Sequence, residues 1–541
     1  MKRSFFLFLA SLLTMSSFAQ TKLELAKQSM KNDDYDAVIQ YTTDHLKTDP
    51  KTADAYALRA QGFMAKKEFK AAITDANMAI KYWNNKCEYK IGTLYCMRGL
   101  VYESVNNSEK AITDYNTAIK RDSKNVICYS YRGDYHYKQK EYDKAEADFH
   151  TASNLEPTEP KWILNVARCL IEQSKTEEAV AILDSLILYE PMLPDAKQLR
   201  ASVYFQQEDY KSFVDIYIAY LSIEQGELDM LLSAATKEYA YTLKAVTEKL
   251  KVVTDQDARF YWLGVRARVY QAKEQYKEAL NDLRTMQTLL PDTIVSPFIL
   301  FYSAECHYGQ YEYSEAAECF SKLIAIDSLN ENVSTFHFRR ALCYSNLGRH
   351  QQAINDYTQI IKNDIDFAPI AYYGRGLEYE VLKDFDSALE DYSKGLLLDE
   401  DNIPIRLMRG RLILLQKQDT VRANLDFNKV LELDTIPDNS LRQYALLYLG
   451  NYDKAVEWQQ KILEAKPNAE NYYDAACLYS RMGKEQEALK YLKESLELGY
   501  RNFVHIEEDC DLDSIRDTQA FKELIVQYKK ERIKNIFNKI L

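Results

Sequence analysis

Glycine and proline are scarce in this sequence, since 541 residues include only 15 Gly and 11 Pro. Tight turns in β-rich proteins depend on these two residues, so their scarcity argues against an all-β fold. Disorder is also excluded, because 47% of the residues are hydrophobic and 42 of them are tyrosines. The composition therefore predicts a folded and mostly helical chain.

Recognised catalytic and metal-binding motifs are missing as well. The sequence contains no HExxH, CxxC, P-loop, GxGxxG or GxSxG, and its seven histidines are scattered. Asp509, Asp511 and Asp513 suggest a calcium loop, but Ser514 and Ala520 stand where an EF-hand needs Gly and Glu, which favours helix capping. We expect no catalytic residues, no metal and no cofactor.

Basic residues are fewer than acidic ones, with 69 Lys and Arg against 81 Asp and Glu, for a formal net charge of −12. Removal of Lys2 and Arg3 with a leader would leave 67 against 81, or −14. A field of this sign repels phosphate backbones, and no basic stretch with interleaved aromatics offsets it. Nucleic acid is therefore not an expected partner.

The first twenty residues carry the pattern of a secretory signal. Lys2 and Arg3 precede an apolar run at 5–13, and Ser17 and Ala19 stand where a signal peptidase would cut. The run is much shorter than the roughly 20 residues that cross a bilayer. The segment resembles the signals of exported Bacteroidetes proteins. We expect cleavage near Ala19 and a periplasmic or secreted mature chain without a membrane span.

A repeated pattern occupies most of the remaining sequence. In residues 371–396, Gly376 lies twelve residues before Ala388, Tyr379 nine before, Phe385 three before and Tyr392 four after. We call Ala388 and its equivalents anchors. The same frame fits the anchors Val38, Ala72, Ala111, Ala145, Ala179, Phe213, Ala279, Ala316, Ala353, Ala388, Ala423, Ala455 and Ala488. One gap of 66 residues between anchors has room for a degenerate unit, so fourteen units are implied.

Each unit has the pattern of two amphipathic helices joined by a short polar turn. This pattern resembles the tetratricopeptide repeat family, whose period is about 34 residues. The resemblance covers residues 20 to about 502 and implies an all-α fold, an α-solenoid of helical hairpins forming a right-handed superhelix.

The same frame predicts the organisation of the chain. The expected segments are a signal peptide at 1–19, an N-terminal array of about six repeats at 20–227, a degenerate repeat or seam at 228–256, a C-terminal array of about seven repeats at 257–502, and a capping segment at 503–541. A capping helix at about 515 to 538 would cover the apolar face that the last repeat otherwise exposes.

Arg375 stands where helical spacing predicts an apolar residue, and Asp391 follows it by sixteen positions. The same pairing recurs as Arg59 with Asp75, Arg98 with Asp114, Arg132 with Asp148, Arg266 with Asp282, Arg340 with Asp356 and, shifted by one, Arg409 with Asp426. Across an antiparallel hairpin such residues can form two parallel hydrogen bonds. We predict structural ion pairs; a row of arginines gripping an anionic ligand is the alternative. Arg200 and Arg442 are exceptions that lack the aspartate.

The nine cysteines form no regular disulfide framework, and their number is odd. Cys169, Cys306 and Cys343 occupy one small helical place in three units, where cysteine serves as a compact hydrophobe. Cys319 replaces the paired aspartate of its unit, which leaves a bond between Cys306 and Cys319 open as an alternative.

The resemblance also implies a function. Members of this family usually bind peptides or protein segments on a concave face lined by the first helix of each unit. The frame projects onto that face Asp134, Tyr137, Arg168, Phe205, Tyr261, Arg268, Phe301, Tyr308, Phe338 and Tyr373. Packing against the neighbouring hairpin is the alternative role for several of them.

We therefore predict a non-catalytic protein-protein interaction scaffold of the cell envelope, with protein or peptide partners. A binding module for envelope glycan or an anionic small ligand is the alternative function.

Overall fold

The computed structural model describes residues 21–291, 293–326, 332–434 and 441–540, with side chains described up to residue 530. The signal peptide predicted at 1–19, with its cleavage site near Ala19, lies outside these residues. Within them the regular elements are helices and no strand occurs, which confirms the predicted all-α class. None of the described helices combines the length and the apolar character needed to cross a bilayer.

The helices are α1 (Lys22–Lys31), α2 (Tyr35–Thr48), α3 (Ala53–Ala65), α4 (Phe69–Tyr82), α5 (Ile91–Ser104), α6 (Ser108–Arg121), α7 (Val126–Lys138), α8 (Tyr142–Leu155), α9 (Pro160–Glu172), α10 (Thr176–Tyr189), α11 (Pro194–Gln206), α12 (Tyr210–Leu221), α13 (Asp229–Lys237), α14 (Tyr239–Val252), α15 (Gln256–Gln271), α16 (Tyr276–Thr288), α17 (Pro297–Gly309), α18 (Tyr313–Ile326), α19 (Val333–Asn346), α20 (His350–Asn363), α21 (Ala368–Val381), α22 (Phe385–Leu398), α23 (Ile403–Leu412), α24 (Thr420–Leu433), α25 (Leu441–Tyr448), α26 (Tyr452–Ala465), α27 (Ala469–Arg481), α28 (Glu485–Glu497), α29 (Phe503–Glu508), α30 (Asp513–Arg516) and α31 (Gln519–Ile540). A π-helical segment, Ile413–Lys417, follows α23, and a 3₁₀ segment, Cys510–Leu512, follows α29.

Helices α1 to α28 are consecutive pairs, one for each of the fourteen predicted units, within the described residues. The odd-numbered helix of a pair is its first helix and the even-numbered helix its second. In the seventh pair only Glu238 separates the two helices. The chain divides into an N-terminal unit, 1–245, and a C-terminal unit, 246–541, with the division inside α14. The predicted array boundaries themselves stay predictions.

Small residues allow the two helices of a pair to approach closely. A Cβ atom on Gly99 would lie 2.6 Å from Cε1 of Tyr115, and one on Gly133 would lie 2.9 Å from Cε1 of Phe149. Both glycines stand twelve residues before an anchor, and both rings stand four residues after it. The close-packed interior therefore has room for the ring only because the facing residue lacks a side chain.

The turns within pairs explain how the fold forms with so little glycine. Lys67, Lys140 and Lys383 end their first helices in the left-handed region, with φ of 61°, 60° and 63°. Gly450 and Gly483 occupy the equivalent place in two later pairs, with φ of 77° and 71°. A left-handed residue ends a helix and reverses the chain, and here side-chain-bearing residues also adopt this conformation.

The six predicted Arg–Asp pairs with sixteen-residue spacing are confirmed. Arg375 donates from Nε and Nη2 to the two carboxylate oxygens of Asp391, both at 2.8 Å. The other five pairs form the same two bonds at 2.6 to 2.9 Å. The six aspartate side chains are only 3–6% exposed. Each guanidinium therefore compensates a buried carboxylate, as a structural ion pair requires.

The arginines also form a bond that the sequence reasoning missed. Arg375 Nη1 donates to Thr358 Oγ1 at 2.8 Å, which joins its pair to the preceding one. Equivalent bonds of 2.6 to 3.0 Å join Arg59 to Thr43, Arg98 to Asn77, Arg132 to Asn116 and Arg340 to Ser321. Each acceptor stands five residues after the preceding anchor. That recurring polar residue is the signal that could have revealed these links.

The two exceptional arginines have partners elsewhere. Arg200 donates from Nη2 to Asp184 Oδ2 at 3.0 Å, and Asp184 is the residue five places after the preceding anchor. Arg442 donates to the backbone carbonyl of Asp434 at 2.6 Å and lies over the ring of Trp458, 5.1 Å from its centroid. Both guanidinium groups therefore also join neighbouring structural elements.

A local irregularity of the helix explains why Arg409 and Asp426 are seventeen residues apart, not sixteen. Arg409 Nη2 donates to Asp426 Oδ1 at 2.7 Å although the two residues are seventeen apart. The π-helical segment Ile413–Lys417 lies between them, and Gln418 follows it with φ of 53°. A π-helix accommodates an additional residue within a helix, so the register of the ion pair is restored.

The structure also tests two further predictions, the disulfide between Cys306 and Cys319 and the capping role of the acidic run that begins at Asp509. All nine cysteines are unbonded in the structure, and Cys306 Sγ instead accepts a hydrogen bond from Gln271 Nε2 at 3.0 Å. The bond between Cys306 and Cys319 is therefore not formed. The Asp509 carboxylate accepts a hydrogen bond from the backbone N–H of Asp511 at 2.9 Å, as the capping interpretation requires.

Candidate interaction surface

The first helices of the N-terminal unit present charged and tyrosyl side chains. Asp134 and Arg168 are exposed at equivalent places on α7 and α9, eleven residues before their anchors, and they interact electrostatically. The hydroxyl of half-buried Tyr137 donates to Glu172 Oε1 at 3.3 Å. Three of the predicted site residues therefore lie on one surface of two neighbouring first helices.

Several predicted aromatic site residues pack between helices. Phe205 contacts the rings of Tyr210 and Phe213 at centroid distances of 5.6 and 5.2 Å. In the C-terminal unit, Phe301 packs against Phe320 and Phe336, Tyr308 against Tyr313, Phe338 against Tyr357 and Phe367, and Tyr373 against the cluster of Ala388 and Tyr392. These contacts correspond to the packing role that the sequence left open. Contact of these residues with a partner stays a prediction.

The remaining two predicted site residues lie on α15. Arg268 lies over the ring of Tyr302, 5.2 Å from its centroid, and Tyr261 meets the ring of Trp262 edge-on at 5.5 Å. Arg268 also stands eleven residues before its anchor. Charged residues thus occupy this place in both units, at Asp134, Arg168 and Arg268.

In the C-terminal unit, a stretch that the sequence did not assign to the surface covers the later first helices. We call residues 499–516 the terminal segment. Tyr311 donates from its hydroxyl to the backbone carbonyl of Gly499 at 3.3 Å. Asn502 donates from Nδ2 to Asn346 Oδ1 at 2.6 Å, although 156 residues separate the two. The terminal segment therefore lies against helices that precede it by more than 150 residues.

A histidine joins the terminal segment to the helix array. His350 Nδ1 lies 2.7 Å from Glu378 Oε2, and its Nε2 lies 3.4 Å from Glu508 Oε1. Burial raises the pKa of Glu378, opposed by hydrogen bonds from Ser345 and His350. The histidine is thus held between a carboxylate of the array and a carboxylate of the terminal segment.

A buried guanidinium makes a further polar contact to the terminal segment. Arg411, only 7% exposed, donates from Nη2 to Glu380 Oε2 at 2.6 Å, and its Nη1 lies 3.9 Å from Asp511 Oδ1. Asp511 also accepts a hydrogen bond from the Tyr448 hydroxyl at 3.4 Å, and Arg481 Nε lies 3.8 Å from it. Two arginines therefore hold one buried carboxylate of the segment.

A cavity of about 570 Å³ remains between the terminal segment and the first helices α19, α21 and α23. Leu342, Leu377 and Leu412 line one wall, and Val504 and Cys510 of the terminal segment line the opposite wall. Its polar rim includes His350, Glu378 and Arg411, whose partners are described above. The cavity thus combines apolar walls with charged groups already engaged with one another.

Comparison with known proteins settles the family. Family models described as tetratricopeptide repeat match residues 96–152, 136–203, 337–364, 369–402 and 444–498. These matches fall on the helix pairs described above, in both units. The chain belongs to the tetratricopeptide repeat family.

Individual relatives of this tetratricopeptide repeat protein are distant or partial. It is 34% identical over 88 residues to a chloroplastic protein of Arabidopsis thaliana, an alignment that covers 16% of this chain and 26% of that protein. It is 24% identical over 234 residues to DnaJ homolog subfamily C member 3 of Rattus norvegicus, covering 39% and 44%. The chain thus spans about a quarter of the first relative and less than half of the second.

The solved structures that resemble this chain are also distant from it in sequence. A tetratricopeptide repeat protein from Parabacteroides merdae is 19% identical, with a TM-score of 0.37, covering 50% of this chain and 98% of that one. Yeast Tom70 is 16% identical, with a TM-score of 0.37, covering 90% and 96%.

One sequence signal could have located the terminal segment in this tetratricopeptide repeat protein. The place eleven residues before the anchor is charged at Asp134, Arg168, Arg268 and Glu305. In the five units that lie under or beside the terminal segment, the residues eleven positions before the anchors are Leu342, Leu377, Leu412, Tyr444 and Cys477. Apolar or aromatic residues at this repeat position in five consecutive units indicate a surface that the chain covers, whereas Leu100 in the N-terminal unit is a single apolar residue between Gln61 and Asp134 at the same position.

The buried Asp511 predicts a pH dependence of stability. Burial raises the pKa of Asp511 to about 6, opposed by Arg411 and Arg481. A carboxyl whose pKa is raised on folding binds its proton more tightly in the folded state, so its contribution to stability falls as pH rises from about 4 to 6. Asp511→Asn removes this titration, and the two stability curves are expected to diverge by up to about 3 kcal/mol over that interval.

Denaturant unfolding of both proteins at pH 4, 5, 6 and 7 checks this expectation. The free energy of unfolding of the wild type should fall relative to the variant as pH rises. Parallel curves would show that Asp511 does not titrate differently on folding.

Proposed function

We propose that this protein is a non-catalytic protein-protein interaction scaffold of the cell envelope. It binds a peptide or protein segment on the first helices of its N-terminal unit. The observation that carries this proposal is the exposure of Asp134 and Arg168 on adjacent first helices, beside half-buried Tyr137. Exposed opposite charges next to a tyrosine form a surface suited to a protein partner.

The C-terminal unit has a different role in this proposal. The terminal segment contacts the first helices α19 and α23 through Asn346 and Arg411, and the second helix α20 through His350, so these side chains already have intramolecular partners. The perturbed acidic groups there, such as Glu378 and Asp511, pair with His350, Arg411 and Arg481 in structural contacts. The C-terminal unit therefore supports the scaffold, and the N-terminal unit supplies the partner-binding face.

The location in the cell envelope rests on the basic start, apolar run and small residues at the beginning of the sequence. The intact mass of the protein from its native organism tests this part separately. A mass that corresponds to a chain beginning after Ala19 is expected. Retention of residues 1–19 in a cytoplasmic fraction would remove the envelope from the proposal.

Reversal of the exposed charges tests the binding face. Asp134→Arg combined with Arg168→Glu is expected to reduce capture of a stoichiometric partner by at least about tenfold, because each reversal replaces an attraction by a repulsion across the interface. Quantitative mass spectrometry after crosslinking in the native organism measures the captured partner.

A matched control reverses charge on second helices of the same unit, with Lys120→Glu and Asp143→Arg, since both residues are exposed there. Capture by this control should equal that of the wild type. If the protein is instead retained on peptidoglycan or polysaccharide and captures no protein, the scaffold proposal is wrong and the glycan alternative is supported.

A further inference from the structure

A second surface of the N-terminal unit has the character of a binding site. A cleft of about 730 Å³ lies at the N-terminal ends of α5, α7 and α9. Lys90, Lys124 and Lys161 line it together with Val126 and Ile127. It lies at the helix ends and shares no residue with the first-helix face of Asp134, Tyr137 and Arg168.

The three lysines of the cleft are exposed and available. The described residues place no carboxylate within ion-pair distance of any of them, and Lys161 Nζ lies 4.3 Å from the ring centroid of Trp162. The cleft also contains two acidic residues. Glu88 Oε1 pairs with Lys27 Nζ at 2.5 Å, and Glu156 Oε2 accepts a hydrogen bond from the neutral indole Nε1 of Trp162 at 3.3 Å. Three lysines against the single carboxylate of Glu156 leave the cleft a net positive charge on a strongly acidic protein.

The apolar part of the cleft includes Val126, Ile127 and the rings of Tyr89, Tyr131 and Trp162. Ile127 is the most exposed of these side chains, at 42%, whereas Val126, Tyr89 and Tyr131 are half-buried and Trp162 is only 5% exposed. An aliphatic side chain can pack on Ile127 and be removed from water, and carboxylates can pair with the lysines. This combination favours a peptide segment that carries acidic and aliphatic residues.

The spacing of the lysines sets the spacing of their partners. Lys90 and Lys124 occupy equivalent places, each 21 residues before its anchor, at the starts of successive first helices. Packed helices lie about 8–10 Å apart, and a segment in the extended polyproline II conformation has three residues per turn and advances about 3.1 Å per residue. Acidic side chains three residues apart on such a segment therefore lie on one face, at about the same spacing as successive lysines. The positive ends of the helix dipoles add to the attraction.

We propose that this cleft binds an extended acidic segment of a partner protein. The segment carries Asp or Glu at about every third position and an aliphatic residue that packs on Val126 and Ile127. The carboxylates pair with Lys90, Lys124 and Lys161. The cleft is a second contact point, separate from the first-helix face. Its lysines and apolar residues select a segment that is acidic and carries an aliphatic side chain.

Fluorescence anisotropy with the full chain and a labelled synthetic peptide tests this proposal. The probe has Glu at positions 1, 4 and 7, with Leu and Ser between them. A second peptide of identical composition has the three Glu adjacent. We expect the spaced peptide to bind more tightly. The triple variant Lys90→Gln, Lys124→Gln, Lys161→Gln should weaken its binding about tenfold, the combined effect of three exposed charge pairs.

The matched control is the triple variant Lys67→Gln, Lys70→Gln, Lys120→Gln, which makes the same change in net charge at exposed lysines outside the cleft. Its affinity for the probe should equal that of the wild type, and circular dichroism verifies that both variants fold. Three outcomes would overturn the proposal: equal weakening in both triple variants, equal affinity for both peptides, or binding of dextran sulfate without binding of either peptide.

Discussion

Asp391→Ala is expected to destabilise the C-terminal unit by about 3–5 kcal/mol, because it leaves the Arg375 guanidinium without its carboxylate in a mostly buried place. The Arg375 side chain is only 14% exposed and the Asp391 side chain 4%. Replacement of both residues by leucine removes both charges together and is expected to be close to neutral. Urea unfolding followed by circular dichroism measures the change for each variant.

The neighbouring residue provides a matched control. Glu390 pairs with Lys394 on the surface of the same helix, and the two side chains are 64% and 46% exposed. Glu390→Ala also removes one carboxylate, but water solvates the lysine that remains, so the unfolding midpoint should hardly change. The structural role of the buried pair is refuted if Asp391→Ala destabilises no more than Glu390→Ala.

Ile506→Ala is expected to cost about 2–5 kcal/mol, because it opens a cavity under the terminal segment. Ile506 is fully buried in a cluster with Leu492, Leu496 and Ile515. The substitution removes packing contacts that hold residues 499–516 against the C-terminal unit. Hydrogen exchange should therefore accelerate at the backbone amides of the terminal segment, measured by mass spectrometry of the peptides that contain them.

Val526→Ala is the control for this second substitution. Val526 is an aliphatic residue in α31 that follows Ile525, a member of the same cluster, but the Val526 side chain is 49% exposed. Its truncation should leave exchange in the terminal segment unchanged. If exchange is as slow in Ile506→Ala as in the wild type, the terminal segment is fixed by contacts other than this cluster.

The helix pairs and their internal ion pairs could be predicted because the interactions that form them are local and periodic. Arg375 and Asp391 are sixteen residues apart, and the pattern repeats in five other units, so spacing alone identified the contact. The bond between Arg200 and Asp184 does not follow from this spacing, because the rule pairs each arginine only with an aspartate of its own unit. The acceptor lay in the preceding unit, at a place that a comparison of adjacent units would have revealed.

The position of the terminal segment could not be derived from repeat spacing. Its contact between Asn502 and Asn346 depends on the accumulated rotation of several intervening helix pairs, which no local pattern specifies. The role of the aromatic site residues could not be predicted from spacing for a different reason. Phe301 and Phe338 have the spacing of a surface row, but rings on an amphipathic helix also pack between hairpins at that spacing, and sequence alone does not separate the two roles.

The arginine bonds to preceding pairs have a consequence for folding. Each one ties the free energy of a pair to that of its neighbour, as in a one-dimensional chain of coupled elements. Arg266, the first such arginine after the seventh pair, bonds to Asp282 and makes no third bond among the described residues. Val166 and Ser303 replace the arginine in two other pairs, so the runs of pairs joined by these bonds are short, and heating should melt the protein in more than one cooperative step.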